Sequence, residues 1–121
     1  MNRSSYKDLK IWRDSMTEGV RLYKLLKDFP KYEQYSLCDQ MRRCIISIPS
    51  NIAEGHARNS HKEFLNFLSI SRGSIAELQT QIRFSIELGY LEPKTGEEFL
   101  FSFSGIDKMI RNLMDSIKSS N

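Results

Sequence analysis

Polar residues crowd one proline in the stretch SIPSNIAEG, Ser47 to Gly55. Ser47, Asn51 and Glu54 carry the hydroxyl, amide and carboxylate that acid–base or nucleophilic chemistry uses, and Pro49 among them could mark an active-site loop. Other chemistry-bearing candidates are few. Cys38 and Cys44 lie six residues apart, which on one helix turns them about 120° from each other and prevents a bridge. Both read as small packing residues. His56 and His61 belong to no Glu-x-x-His pair, so the di-metal carboxylate chemistry of helical bundles has no ligand set. Gly73-Ser74 falls inside a helical pattern rather than on a strand-to-helix elbow. LEPKTGEE lacks the glycines and the Lys-Ser/Thr pair of a phosphate loop. Nothing completes Asn51 and Glu54 into a catalytic constellation. The expectation is a protein that is not an enzyme and uses no metal or cofactor.

The cations say more. Arg3, Lys7, Lys10, Arg13, Arg21 and Lys24 fall within about 100° of one another on an ideal helix, and only Asp14 interrupts the row. Arg42, Arg43, Arg58 and Lys62 follow. Residues 1–62 carry a net charge of +5 and residues 63–121 a net −2, within an overall +3. Three uses stay open at this point. A bundle helix needs a solvated face; Lys and Arg also track the phosphates of RNA or DNA, with strong salt dependence. Alternatively, the basic half of one copy meets an acidic partner or the acidic half of the next copy.

These residues need elements to hold them. At 121 residues the chain suits one domain, residues 1–121, and 40% hydrophobic with 27% charged residues is ordinary for a soluble protein. No apolar run approaches the roughly 18 residues of a membrane span. The opening MNRSSYKDLKIW has no apolar core of a signal peptide, which points to the cytoplasm.

Four capping-box matches, Ser5-x-x-Asp8, Ser36-x-x-Asp39, Ser60-x-x-Glu63 and Thr95-x-x-Glu98, each precede a 3.6-residue apolar period. Helix 1 places Leu9, Trp12, Met16, Val20, Tyr23 and Leu26 on one face and stops at Pro30. Helix 3 carries the seam Phe64, Leu68, Ser71, Ile75, Leu78, Ile82 and Ile86, with Gly89 as its C′ residue. Helix 4 repeats the rhythm through Phe99, Phe103, Ile106, Ile110, Leu113 and Ile117. Short connections imply antiparallel neighbours, hence an all-α, up-and-down four-helix bundle.

Phase decides what Pro49 does. Leu37, Met41, Ile45, Ile48 and Ile52 lie within about 80° of one another, so the stripe crosses the proline without changing face. The expectation is one helix over 37–58, kinked at Pro49, with the small residues Ser71 to Ser74 of helix 3 as counterpart, Gly73 included. Gln40, Ser47, Asn51 and Arg58 border one side of the stripe, and Arg43, Ser50 and Glu54 the other. Such a row serves structure or assembly, or contacts a ligand directly.

FPKYEQYSLCDQMRRCIISIPSNIAEGHAR, KEFLNFLSISRGSIAELQTQ and LGYL together resemble the 23S rRNA intervening-sequence proteins, also labelled ribosomal proteins. The resemblance covers about Tyr6 to Asp115. Its motifs are Trp12, Phe29-Pro30, Gln40 to Arg43, Ser47 to Gly55, Arg58, Gly73-Ser74 with Glu77, and Leu88 to Leu91. Cys44 and Ser71 stand where alanine is more usual. The resemblance implies a small bacterial four-helix bundle that assembles as a homopentamer. It brings no catalytic residues. A related branch comprises accessory proteins of diversity-generating retroelements, which bind nucleic acid and a reverse transcriptase. The expected partners are therefore further copies of the chain, RNA or DNA, and a protein, with no membrane. Lys7, Lys10, Arg13, Arg21, Lys24, Arg42, Arg43, Arg58 and Lys62 are the candidate nucleic-acid contacts. Gln40, Ser47, Pro49, Asn51, Glu54, Gly55, Gly73 and Ser74 are the candidate structural or assembly residues.

Overall fold

The computed structural model describes residues 5–120, so Arg3 lies outside the described residues. Among them are four α-helices and no strand: α1 (Lys10–Leu25), α2 (Leu37–Ala57), α3 (His61–Glu87) and α4 (Pro93–Ser119). Single 3-10 turns occupy Tyr6–Asp8, Leu26–Asp28 and Lys31–Glu33.

Helix ends follow local chemistry, though not always at the expected residue. Ser60 caps α3, its hydroxyl accepting from the Glu63 amide at 3.2 Å. Gly89, at φ +80°, closes α3: the Gly89 amide donates to Ile86 O and the Tyr90 amide to Ser85 O, a Schellman arrangement. The other three capping boxes behave differently. Ser5 caps only the turn Tyr6–Asp8, and α1 starts after Leu9 without a side-chain cap. Ser36 holds the N-cap position of α2, but its hydroxyl makes no capping bond. Thr95 lies inside α4, which opens on Pro93. Proline is preset for the first helical position, so it starts the helix before the hydroxyl can.

Contacts fix the helix directions. Gly19 faces Ile45 while Tyr23 lies under Arg42, Ser47 meets Ser74 while Gly55 faces Phe67, and Arg72 pairs with Asp107 while Arg83 pairs with Glu97. Residue numbers rise on one helix as they fall on its neighbour, so these pairs run antiparallel. One core joins all four helices, from Leu22 and Leu26 through Met41, Ile48 and Ile52 to Leu68, Ile75, Leu78, Ile82, Phe99, Phe103 and Ile110.

The α2, α3 and α4 seams match the sequence pattern closely, except that Leu37, Ile86 and Leu113 are half-buried and Met114 is buried beside Leu113. Helix α1 is the exception. Its buried edge is Ile11, Ser15, Gly19 and Leu22, whereas Met16, Val20 and Tyr23 are exposed. The reason is close approach. A Cβ on Gly19 would stand 3.0 Å from Ile45 Cγ2, so Ser15 and Gly19 bring α1 against α2, while Met16, Val20 and Tyr23 turn outward.

Helix α2 runs without interruption through Pro49. Proline withholds the amide that would serve the Ile45 carbonyl one turn earlier, and Gly19 packs over that turn, its added Cβ 3.8 Å from Ile45 O. On the opposite side Ser71 Oγ donates to Ile48 O at 2.9 Å, and the Ser47 and Ser74 hydroxyls are 2.8 Å apart. Asn51 Nδ2 donates to both Ser47 O and Ser47 Oγ at 2.9 Å. The expected small-residue counterpart is thus Ser71 with Ser74, and Gly73 is corrected: it is exposed, and an added Cβ would meet nothing within 4 Å. Gly55 is the real close approach, since its Cβ would stand 2.7 Å from Phe67 Cβ.

Candidate functional site

Helix α1 presents three different sides. Its core edge is Ile11, Ser15, Gly19 and Leu22. Roughly 90° round the helix come Trp12, Met16, Val20 and Tyr23, and a further 100° or so brings Lys10, Arg13, Arg21 and Lys24. Lys10, Arg13 and Lys24 therefore point away from the bundle, with the apolar flank between them and the core, while Arg21 turns toward α4.

That flank forms one wall of an open groove between α1 and α2, about 520 Å3 in volume. Ile45, Ile46, Pro49 and Ala53 form the other wall, Tyr6 closes one end against Trp12 (ring centroids 5.2 Å apart), and Lys24 lies on the rim. Met16, Val20, Tyr23 and Ile46 are between 38% and 54% exposed. Leaving such side chains in water forgoes about 25 cal/mol per Å2 of apolar surface. A contiguous apolar groove with a polar rim is what an interaction surface looks like.

The cations sort into two groups. Arg42 is structural: it donates to Gln34 O (3.0 Å), Gln34 Oε1 (2.5 Å) and Asp39 (2.9 Å), tying the α1–α2 connection to α2. Arg58 bridges Glu54 at 2.8 Å and Glu63 at 3.3 Å and lies over the Phe67 ring, and its Glu54 hydrogen bond raises its pKa further. Arg21 pairs with Glu18 at 2.8 Å and covers Phe99. The second group faces solvent. Lys7, Lys24, Arg43 and Lys62 are exposed. Arg13 donates to the Lys7 and Asp8 carbonyls, at 3.3 and 2.7 Å, which fixes its head without neutralising it. Lys10 pairs with Asp14 at 2.7 Å, but an exposed i,i+4 pair is worth only about 0–1 kcal/mol.

The polar residues around Pro49 are likewise engaged. Ser47, Asn51, Ser71 and Ser74 satisfy one another and the α2 backbone. Glu54 is exposed on Arg58, and Gln40 is exposed in the first turn of α2. Burial pushes the Cys44 thiol up to about 11, helped by the nearby Glu77 carboxylate, and burial raises Cys38 as well. Both thiols are therefore protonated near neutrality. Among the described residues, no three His, Cys, Asp or Glu side chains converge as metal ligands, and no helix is long and apolar enough to cross a membrane. His56 meets the Phe64 ring edge-on, and His61 opens α3.

Two features escaped the sequence pattern. The groove did, because its apolar wall was assigned to the core. So did a tyrosine cluster at one bundle end, where Tyr90 meets the Tyr32 hydroxyl at 3.1 Å and donates to Glu33 at 2.8 Å; the Tyr32 contact, and after it the Glu33 hydrogen bond, raise the Tyr90 pKa. Only tertiary folding brings residues 32–33 to residue 90.

Comparison with known proteins decides the family. The model of the 23S rRNA-intervening sequence proteins matches residues 7–112. The chain belongs to this family. Among the solved structures like it is a protein of unknown function from the S23 ribosomal protein family of Bacteroides thetaiotaomicron VPI-5482. The TM-score is 0.77 over 86% of this chain and 97% of that one, at 23% identity. That likeness is one of fold. No curated protein matches the chain. In this chain the stretch Ser47 to Gly55 is the packed α2–α3 contact described above, and exposed apolar side chains remain on α1 (Met16, Val20, Tyr23), α3 (Ile70, Phe84, Leu88) and α4 (Phe101).

Proposed function

We propose that the protein is a non-catalytic homo-oligomer, of five copies, that binds RNA or DNA in the cytoplasm through the outward cationic side of α1. One observation carries the proposal: α1 turns an apolar flank and a cationic row to solvent on separate sides. Self-association through the flank leaves the row free. Assembly then multiplies the row. Away from the groove one copy offers Lys10 and Arg13, with Lys7 in the turn before α1, a weak counterion-release site; several copies on one polymer gain avidity from effective concentration. Arg43 and Lys62 extend the same basic half.

A protein-interaction scaffold is the competing reading, favoured by Arg21, Arg42 and Arg58 already being engaged within the chain. Salt titration of binding to generic single-stranded RNA separates them. Phosphate recognition gives binding that falls steeply with salt and is lost in the Lys7→Glu, Lys10→Glu, Arg13→Glu triple variant at unchanged oligomer mass. Absence of binding at low salt overturns the nucleic-acid reading and leaves the scaffold.

A further inference from the structure

Helix α3 carries two heptad seams rather than one. Phe64, Leu68, Ser71, Ile75, Leu78 and Ile82 fill the core. Roughly 100° away runs a second series, Ile70, Ser74, Glu77, Gln81, Phe84 and Leu88, in alternating steps of four and three. It borders α2, which Ser74 touches at Ser47. Ile70, Phe84 and Leu88 are at least half exposed. Gln81 Oε1, in mid-seam, is buried with no hydrogen-bond partner among the described residues. A seam with this spacing and these side chains suits a partner better than water.

We infer that this second seam of α3 is the surface that enters the α1–α2 groove of a neighbouring copy. The inference rests on the self-association proposed above and names both halves of the contact. Shape agrees: the seam is a ridge on one helix, and the groove lies between two. Level agrees too. Gly19 sits opposite Ile45, and Ile48 opposite Ser71, so Met16 in the groove and Ile70 on the seam lie at one height along the bundle. Side-by-side copies bring them together without a shift. Charge agrees, because Glu77 lies mid-seam within about a turn of the height of Lys24 on the groove rim.

The arrangement also sets symmetry. Groove and seam are different surfaces, so the contact is heterologous. They lie on adjacent faces sharing α2, about 90° apart in a square bundle. Repeating the contact turns each copy by about 90° or somewhat less, which closes a ring of a few copies rather than a filament.

The test uses the full chain and light-scattering mass after gel filtration. Val20→Asp spoils the groove and Ile70→Asp the seam; both sites are about half exposed, and circular dichroism checks that each variant stays helical. The expected result is that each variant alone is monomeric, its association weakened at least about 30-fold, as for loss of an interface hot spot. Mixed together, they form a 1:1 dimer near 28 kDa, because one retains an intact seam and the other an intact groove. A mixture that stays monomeric overturns the pairing. So does an Ile70→Asp, Phe84→Asp double variant that keeps the wild-type mass while Val20→Asp dissociates, and in that case self-association survives. A monomeric wild type overturns both.

Discussion

Two glycines in adjacent helices should respond to the same substitution with opposite sign. Gly73 lies in mid-α3, exposed, with nothing within 4 Å of an added Cβ. Gly73→Ala therefore adds only helix propensity and should stabilise by about 1 kcal/mol. Gly55 is buried in α2, where an added Cβ would stand 2.7 Å from Phe67 Cβ and 3.1 Å from Phe64 Cδ1. Phe67 Cβ is anchored to the α3 backbone and cannot swing away, so the helices must separate. Overpacking of this kind costs about 1–3 kcal/mol, or more where backbone moves, against the same propensity gain of about 1. Gly55→Ala should thus be destabilising by up to about 2 kcal/mol. Thermal and urea unfolding, compared at one protein concentration because assembly contributes to stability, should show Tm rising by about 3–6 °C for Gly73→Ala. It should fall for Gly55→Ala. Equal signs would refute the assignment of Gly55 as the α2–α3 contact and of Gly73 as a solvent-facing position.

Ser71→Ala removes the hydroxyl that donates to Ile48 O and should cost about 1 kcal/mol by urea titration, whereas Ser69→Ala, at an exposed position, should change stability by less than about 0.5. The Lys7→Glu, Lys10→Glu, Arg13→Glu variant should lower the slope of log K against log salt by about 0.7 for each single-strand phosphate it no longer neutralises, measured by fluorescence anisotropy. Cys44 has a sign fixed by its environment. Its folded thiol is held at about 11 against an ordinary 9.0, so folding favours the protonated form. The stability it contributes is complete below about pH 9 and is lost as pH rises from there through about 11. The unfolding free energy of wild type relative to Cys44→Ala should therefore fall across that window, and a rising difference would contradict the burial.

What the sequence made legible depends on whether large side chains mark a contact. On α3 and α4 they do, so Leu68, Leu78, Ile82, Phe103 and Ile110 could be placed in the core from spacing alone. On α1 the tight contact uses Ser15 and Gly19, residues that no apolar pattern counts, and the larger Met16, Val20 and Tyr23 drew the stripe to the wrong side. That misplacement hid the groove. The cationic row was legible because it rests only on helical phase, and its Lys10–Asp14 pair follows from i,i+4 spacing. The engagement of Arg42 with Gln34 was not, since the 3-10 turn at Lys31–Glu33 folds the connection back onto α2. Pro49 was read correctly as lying within a helix, and its neighbours Ser47 and Asn51 prove to be packing partners of Ser74 and the α2 backbone.

Self-association through α1 and α2 is the claim on which the proposed function most depends. Sedimentation velocity of the full chain, over a concentration series in moderate salt, tests it directly. The result predicted is one species near 71 kDa, five copies of the 14.2 kDa chain, that persists on dilution into the low micromolar range. A single species at 14.2 kDa at every concentration would contradict it.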